Sequence, residues 1–213
     1  RNPRLRLPAE LIRDNALAIA GMLSPKMGGP SVYPPQPDGI WKLTGTFQPS
    51  YTLSQGEDRY RRGVYTIWRR SSPYPSFVNF DAKDRTACVL KRSRTNTPLQ
   101  ALTLLNDEVY VEAALGLAGR ILKEVPDGDS AERARHGFRL AVGREPTPEE
   151  RAALEQLLVA QEARIRDRES IAAELFASVP GWEPAPDVDP AELAAWYFVG
   201  SALLNLDETI TRG

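Results

Sequence analysis

Three strings of one design recur in this chain: Thr97-Pro98-Leu99-Gln100, Thr147-Pro148-Glu149-Glu150 and Asp189-Pro190-Ala191-Glu192. Each sets an N-cap side chain before a proline, with Gln or Glu three residues after the cap. Proline in the first helical position loses nothing, because the N–H it lacks has no intrahelical partner there. The strings therefore predict three helix beginnings. Between and beyond them the apolar spacing stays helical. Leu99, Leu102 and Leu105 lead to a kink or recapping point at Asn106-Asp107, and Val109, Ala113, Leu117 and Ile121 carry the stripe on to about Glu124. After the loop Pro126-Asp127-Gly128-Asp129, the pattern predicts a helix from Ser130 to Val142, then a long one from Thr147 to about Phe176. Residues 178–186 read as a loop. The last helix, Pro190 to about Leu206, is apolar around most of its circumference, as a central helix of a bundle is. One further helix is expected after Pro8, with Leu11, Ile12, Ala16 and Ile19 on its stripe, stopping between Gly21 and Pro25.

Residues 25–96 have a different texture. Of the 18 prolines, 11 fall in the first hundred residues, and the run Gly28 to Gly39 cannot continue a helix or a central strand. Trp41, Phe47, Tyr51, Tyr60, Tyr65, Trp68, Tyr74, Phe77 and Phe80 argue for an ordered excursion, since disordered segments are poor in aromatics. Gly63 to Trp68 is the best strand candidate, with Cys88-Val89-Leu90 as its pairing partner. The expected fold is mainly α: a helical bundle of about five or six helices, with a long ordered irregular excursion carrying at most a short β-hairpin. A single domain over 1–213 is expected, with the first helix and the basic excursion in 1–97 and an acidic bundle in 98–213.

Charge is divided in the same way. The first hundred residues hold 16 Lys and Arg against 7 Asp and Glu, and the rest hold 11 against 21, although the whole chain is only minus one. Arginine outnumbers lysine 22 to 5, and its planar fork suits carboxylates, sulfates and phosphates. Two readings stand. In one, the basic half folds onto the acidic half and its arginines are used in internal ion pairs. In the other, Arg59, Arg61, Arg62, Arg69, Arg70, Arg92 and Arg94 converge on an anionic partner.

Several classes are excluded or disfavoured. With one cysteine and one histidine, the chain has no internal disulfide and no zinc site made of Cys and His, and no C-x-x-C-H run to attach haem c. Cys88 reads as a small buried side chain and His136 as a surface or capping residue. No metal ligands and no catalytic residues are assigned. The visible carboxylate pairs are Asp81 with Asp84, Asp107 with Glu108, and Asp207 with Glu208, and the latter two make poor dyads, because adjacent residues on a helix diverge. Asp107 is better read as a helix cap and Asp81 as an arginine's partner. An isoelectric point near 6.0 and the lack of a recognised motif speak against nucleic acid. No apolar run reaches the roughly 20 residues of a membrane span. The chain begins at Arg1 and reads as a piece of something longer.

The order of motifs resembles a known family. Leu7-Pro8-Ala9-Glu10-Leu11-Ile12-Arg13-Asp14, Gly28-Gly29-Pro30-Ser31-Val32, Tyr60 to Arg70, Phe80-Asp81-Ala82, Arg92-Ser93-Arg94-Thr95-Asn96-Thr97-Pro98-Leu99-Gln100-Ala101-Leu102 and Leu105-Asn106-Asp107 occur in the order found in the C-terminal domain of unknown function of planctomycete-type cytochrome c proteins. The resemblance covers essentially the whole chain, and the Arg94 to Leu102 string is its most specific part. It implies an extracytoplasmic (periplasmic or secreted) setting and an upstream cytochrome c-type domain of the same parent chain as partner. Any haem c would belong to that domain, and no cofactor is expected in this segment. No reaction is implied.

The function expected is a non-catalytic structural or ligand-binding module of a secreted, cytochrome c-linked protein, contacting an anionic polysaccharide or a redox partner domain. Ligand-binding candidates are Arg61, Arg62, Arg69, Arg70, Arg92 and Arg94, with Trp41 and Trp68 as flat faces for a sugar ring. The alternative is part of a carboxylate-dependent polysaccharide-degrading enzyme.

Overall fold

The structure is a computed structural model and describes residues 4–41 and 50–212; Phe47, counted above among the ordering aromatics, lies outside the described residues. Helix α8 (Pro190–Leu204) begins where Asp189 accepts hydrogen bonds from the N–H groups of Ala191 and Glu192. It is buried on nearly all sides, through Leu193, Trp196, Val199 and Leu203, so the central position expected from its composition is correct. Its main neighbour is α4 (Glu108–Glu124). The two backbones come close where small residues meet, Gly200 of α8 against Ala114 of α4. A Cβ on Gly200 would stand 2.8 Å from the Ala114 carbonyl oxygen, so that position admits glycine alone without a shift of one helix.

The other helices wrap this pair. Helix α1 (Ala9–Ile19) lies against α4, and α3 (Pro98–Asn106) ends where Asp107 recaps the chain by accepting from Val109 N–H at 3.2 Å. Helix α5 (Ser130–Val142) is capped by Asp129 and closed by Gly143 at φ 78°. Helix α6 (Pro148–Asp167) has the full reciprocal cap, with Glu150 N–H donating to Thr147 Oγ1 at 3.2 Å and Thr147 N–H donating to Glu150 at 2.8 Å. The single long helix expected from Thr147 to Phe176 is two helices, with α7 (Ser170–Ala177) starting after a break at Arg168-Glu169. The break has a packing reason. Leu158 and Ile165 are seven residues apart and share a face, whereas Ile171 on a straight helix would be rotated by about 120° from them. Breaking the helix returns Ile171 to the core. Six helices of eight residues or more thus follow Thr97, before the short α9 (Asp207–Ile210).

The fold is mainly helical, as expected, with one short two-stranded sheet among the described residues, and that sheet is not the pairing of 63–68 with 88–90. It pairs the two ends of the described chain, β1 (Leu5–Arg6) antiparallel to β2 (Thr211–Arg212). Residues 63–65 form a 3₁₀ turn, and 88–90 are exposed and irregular. Gly63 is drawn onto α1 instead, with its N–H donating to the buried Asp14 carboxylate at 2.6 Å. Val64 faces solvent, so the alternation of a half-buried strand is never set up. Among the described residues only isolated bridges remain here, between Ser24 and Arg61 and between Val32 and Thr66.

Arginines hold the excursion to the bundle. Arg13, on α1 and fully buried, donates to the carbonyls of Arg61 at 2.7 Å and Arg59 at 2.9 Å. Arg59 in turn reaches Glu112 at 3.0 Å and Glu108 at 2.9 Å on α4, and the Tyr60 hydroxyl donates to Glu112 at 2.7 Å. For Arg59, internal pairing with the acidic half is what the fold realises.

Candidate functional site

The family-like string around Arg94 to Leu102 forms a clasp. Asp81 sits in the left-handed region at φ 62°, a strained setting for a residue with a Cβ. Its carboxylate accepts from Thr95 N–H at 2.7 Å, from Thr95 Oγ1 at 2.9 Å and from the Arg6 guanidinium. Burial raises the Asp81 pKa, but the Thr95 hydrogen bonds and the Arg6 charge outweigh it and hold the carboxyl below its ordinary range. Gln100 completes the clasp, donating to Asn79 carbonyl at 2.9 Å and Thr95 Oγ1 at 3.2 Å while accepting from Arg6. The segment between Asp81 and Thr95 is thereby held at both ends and projects as an exposed loop.

That loop forms one wall of a cleft. Arg85, at φ 60°, lays its guanidinium over the Trp68 ring, 4.8 Å from the centroid. Arg92 reaches across to Glu10 on α1, with contacts of 2.7 and 2.9 Å to its two carboxylate oxygens. Burial raises the Glu10 pKa, yet the Arg92 hydrogen bond and the charges of Arg92 and Arg85 bring it below the usual value. Between them lies a cavity of about 280 Å³ lined by Pro8, Glu10, Val64, Trp68, Phe77, Arg85 and Arg92. A second, shallower hollow of about 550 Å³ under the loop shares Arg85 and Arg92 and adds Lys83 and Cys88. The site offers a flat indole, two guanidiniums and an ammonium, with Glu10 engaged by Arg92. Such a set binds anions and planar apolar faces.

The eight candidates fall in separate places. Trp68 and Arg92 meet in this cleft. Arg61 does not; it is fully buried, donating to Pro30 carbonyl at 3.1 Å and to Gly28 carbonyl while stacked on Tyr65, so it is closed to an external ligand. The reason is the loop it supports: the carbonyls of 28–30 turn inward and need a donor. Arg62 lies beside Met27 and Asp14. Arg69 covers Trp41 at 5.1 Å, and Trp41 packs edge-on against Tyr33 and Tyr51, a second aromatic cluster. Arg70 and Arg94 are exposed.

Sequence reasoning missed Lys83, Arg85 and Glu10. For Lys83 and Arg85 the signal was the charge density of 83–94, which was read only from Arg92 onward, and Glu10 carried none. Cys88, expected to be buried, is exposed on the loop, because no strand forms there to cover it. The lone histidine behaves as a surface residue, with Nε2 2.6 Å from Glu124.

The carboxylates weighed as catalysts are otherwise engaged. Asp107 caps α4, Glu208 is held by Arg144 at 2.9 Å, and Asp207 faces Arg4 at 3.4 Å. Covalent haem c needs two cysteines and a histidine, and this chain's single cysteine and single histidine do not fit it. Among the described residues no three His, Cys, Asp or Glu side chains are grouped as a metal site requires. No helix among them is long and apolar enough to cross a membrane.

No curated protein and no solved structure matches the chain. A family model does match, over residues 1–158, the stretch that contains the clasp, the loop and the cleft. By that match the chain belongs to PSD1, a family of proteins of unknown function (DUF1553).

Proposed function

We propose that this chain is a non-catalytic binding module that takes anionic polysaccharide in the cleft between Trp68, Arg85 and Arg92. The observation that carries the reading is the stack of Arg85 on Trp68 beside an open, cation-lined hollow. An indole face suits the apolar side of a sugar ring, and guanidinium forks suit sulfate or carboxylate substituents. The motif order supports a setting as the terminal module of a secreted, cytochrome c-linked protein, with the upstream cytochrome c-type domain as its partner and any haem c in that domain.

Calorimetric titration with sulfated and with neutral oligosaccharides tests the binding. The sulfated ligand is expected to bind, with an affinity that falls as salt rises, and Trp68→Ala and Arg85→Ala are each expected to weaken it by about tenfold, roughly 1.4 kcal/mol. Absence of heat at millimolar sulfated ligand, or equal binding by Trp68→Ala, contradicts the reading. The setting is tested by reading the parent gene upstream of Arg1 for a leader and a C-x-x-C-H site.

A further inference from the structure

Helix α3 is folded inside out. Its inward face carries Gln100 and Thr103, both buried, with Leu104 the one large apolar side chain on that side. Its outward face carries Leu99, Leu102 and Leu105, exposed at 54%, 55% and 41%. The polar residues are inside because they have partners there: Gln100 in the clasp, and Thr103 Oγ1 accepting from Asn79 Nδ2 at 2.9 Å. Val78, on α2 (Pro75–Asn79), the helix joined to α3 by those bonds, is exposed too. An amphipathic helix normally buries its leucines. Here three of them, spaced i, i+3, i+6, lie on the surface.

The charges of the segment leading into this stripe are one-sided. No charged residue lies between Arg94 and Asp107, and Asp107 is turned inward as a cap. Arg94, three residues before the cap of the helix, and Lys91, earlier on the same segment, are exposed and have no ion-pair partner among the described residues. The leucines make a patch on the order of a few hundred Å², well under the roughly 800 Å² per partner of a stable interface. A second copy of this chain would gain too little from it. A short helix laying an apolar stripe in place is enough to cover it, and such partners anchor through i, i+3, i+4 positions.

We propose that the outward face of α3 docks a short amphipathic segment of another protein surface, with leucine-type anchors against Leu99, Leu102 and Leu105 and carboxylates facing Lys91 and Arg94. Its leucines lie outside the Trp68 cleft, and the proposal does not depend on ligand binding there.

The test is fluorescence anisotropy of the full chain with two labelled helical peptides sharing the same leucine stripe, one flanked by glutamates and one by lysines. The glutamate peptide is expected to bind roughly three- to tenfold tighter, the range that a few exposed ion pairs supply. Arg94→Ala is expected to remove most of that preference. Leu102→Ser is expected to abolish binding of both while leaving the circular dichroism spectrum and sulfated-oligosaccharide binding unchanged. Trp68→Ala leaves the peptide bound, so failure of the cleft reading and failure of this one are distinguishable. Equal binding of the two peptides, unchanged binding by a folded Leu102→Ser protein, or binding of neither peptide overturns the proposal. So does sedimentation of the chain with anionic phospholipid vesicles, or a dimer of the free chain, if either is lost in Leu102→Ser.

Discussion

Arg13, Arg59 and Glu112 are charged side chains in the interior, and each is there to satisfy a group that the fold would otherwise strand. The Arg59 and Arg61 carbonyls face inward because the excursion turns away from sheet pairing, and Arg13 is the donor that reaches them. Glu112, which is 1% exposed, accepts from both Arg59 and Tyr60. Its removal leaves Arg59 buried and unpaired, so Glu112→Ala is expected to cost about 3 to 5 kcal/mol. Thermal unfolding should show a fall in Tm on the order of 10 °C. Asp107 is a second such residue, with opposite consequences. Burial pushes its pKa up to about 6 from the ordinary 3.8, against the Val109 N–H bond and the Arg13 charge, which lower it. A folded-state pKa above the unfolded one means that the stabilising contribution is full below 3.8 and is lost as pH rises through about 6. Asp107→Asn keeps a capping side chain without the charge. It is expected to gain roughly 2 to 3 kcal/mol on the wild type between pH 4 and pH 7. Paired Tm measurements across that interval check it, and a constant difference would contradict the assignment.

At the level of elements, the helix starts and the irregular course of the excursion were legible, and the pairing inside the excursion was not. Thr147-Pro148-Glu149-Glu150 defines a helix start through backbone chemistry contained in four residues, so the α6 start appears where its sequence places it. The Asp189 start is right for the same reason, although Glu192 serves Arg133 at 2.6 Å instead of returning to its cap. The split of α6 from α7 was hidden because it depends on where Ile171 must go to meet the core. The 63–68 strand failed on a contact forty-nine residues away, between Gly63 and Asp14. Composition also cannot show that Arg61 serves carbonyls and Arg92 serves Glu10, since the two differ only in what surrounds them. The close α4–α8 contact gives a prediction of its own. Gly200→Ala places a methyl 2.8 Å from a backbone oxygen that cannot rotate away, and the cost is expected at about 1 to 3 kcal/mol. Denaturant melts should show a lower midpoint with an unchanged slope.

Across the whole molecule, Arg59 in the interior and Arg4 at the surface tie the basic half to the acidic half, and four of the cations that make no ion pair among the described residues share one projecting loop. Arg59 and Arg4 spend their charge on acids of the second half. Lys83, Arg85, Lys91 and Arg94 find no carboxylate within ion-pair distance among the described residues, and Asp81, Thr95 and Gln100 hold the loop that presents them. This division of cations between fold and surface underlies the proposal that ligand binds at Trp68, away from Arg61 stacked on Tyr65. The most direct measurement is an NMR titration of the ¹⁵N-labelled chain with a sulfated oligosaccharide, following the four indole Nε1–H signals and the arginine Nε–H signals. Saturable shifts of the Trp68 indole and of Arg85 and Arg92 are expected, while Arg13, Arg59 and Arg61 stay in place. Shifts centred on Arg61 and Tyr65, or none at Trp68 at saturating ligand, would contradict the proposal.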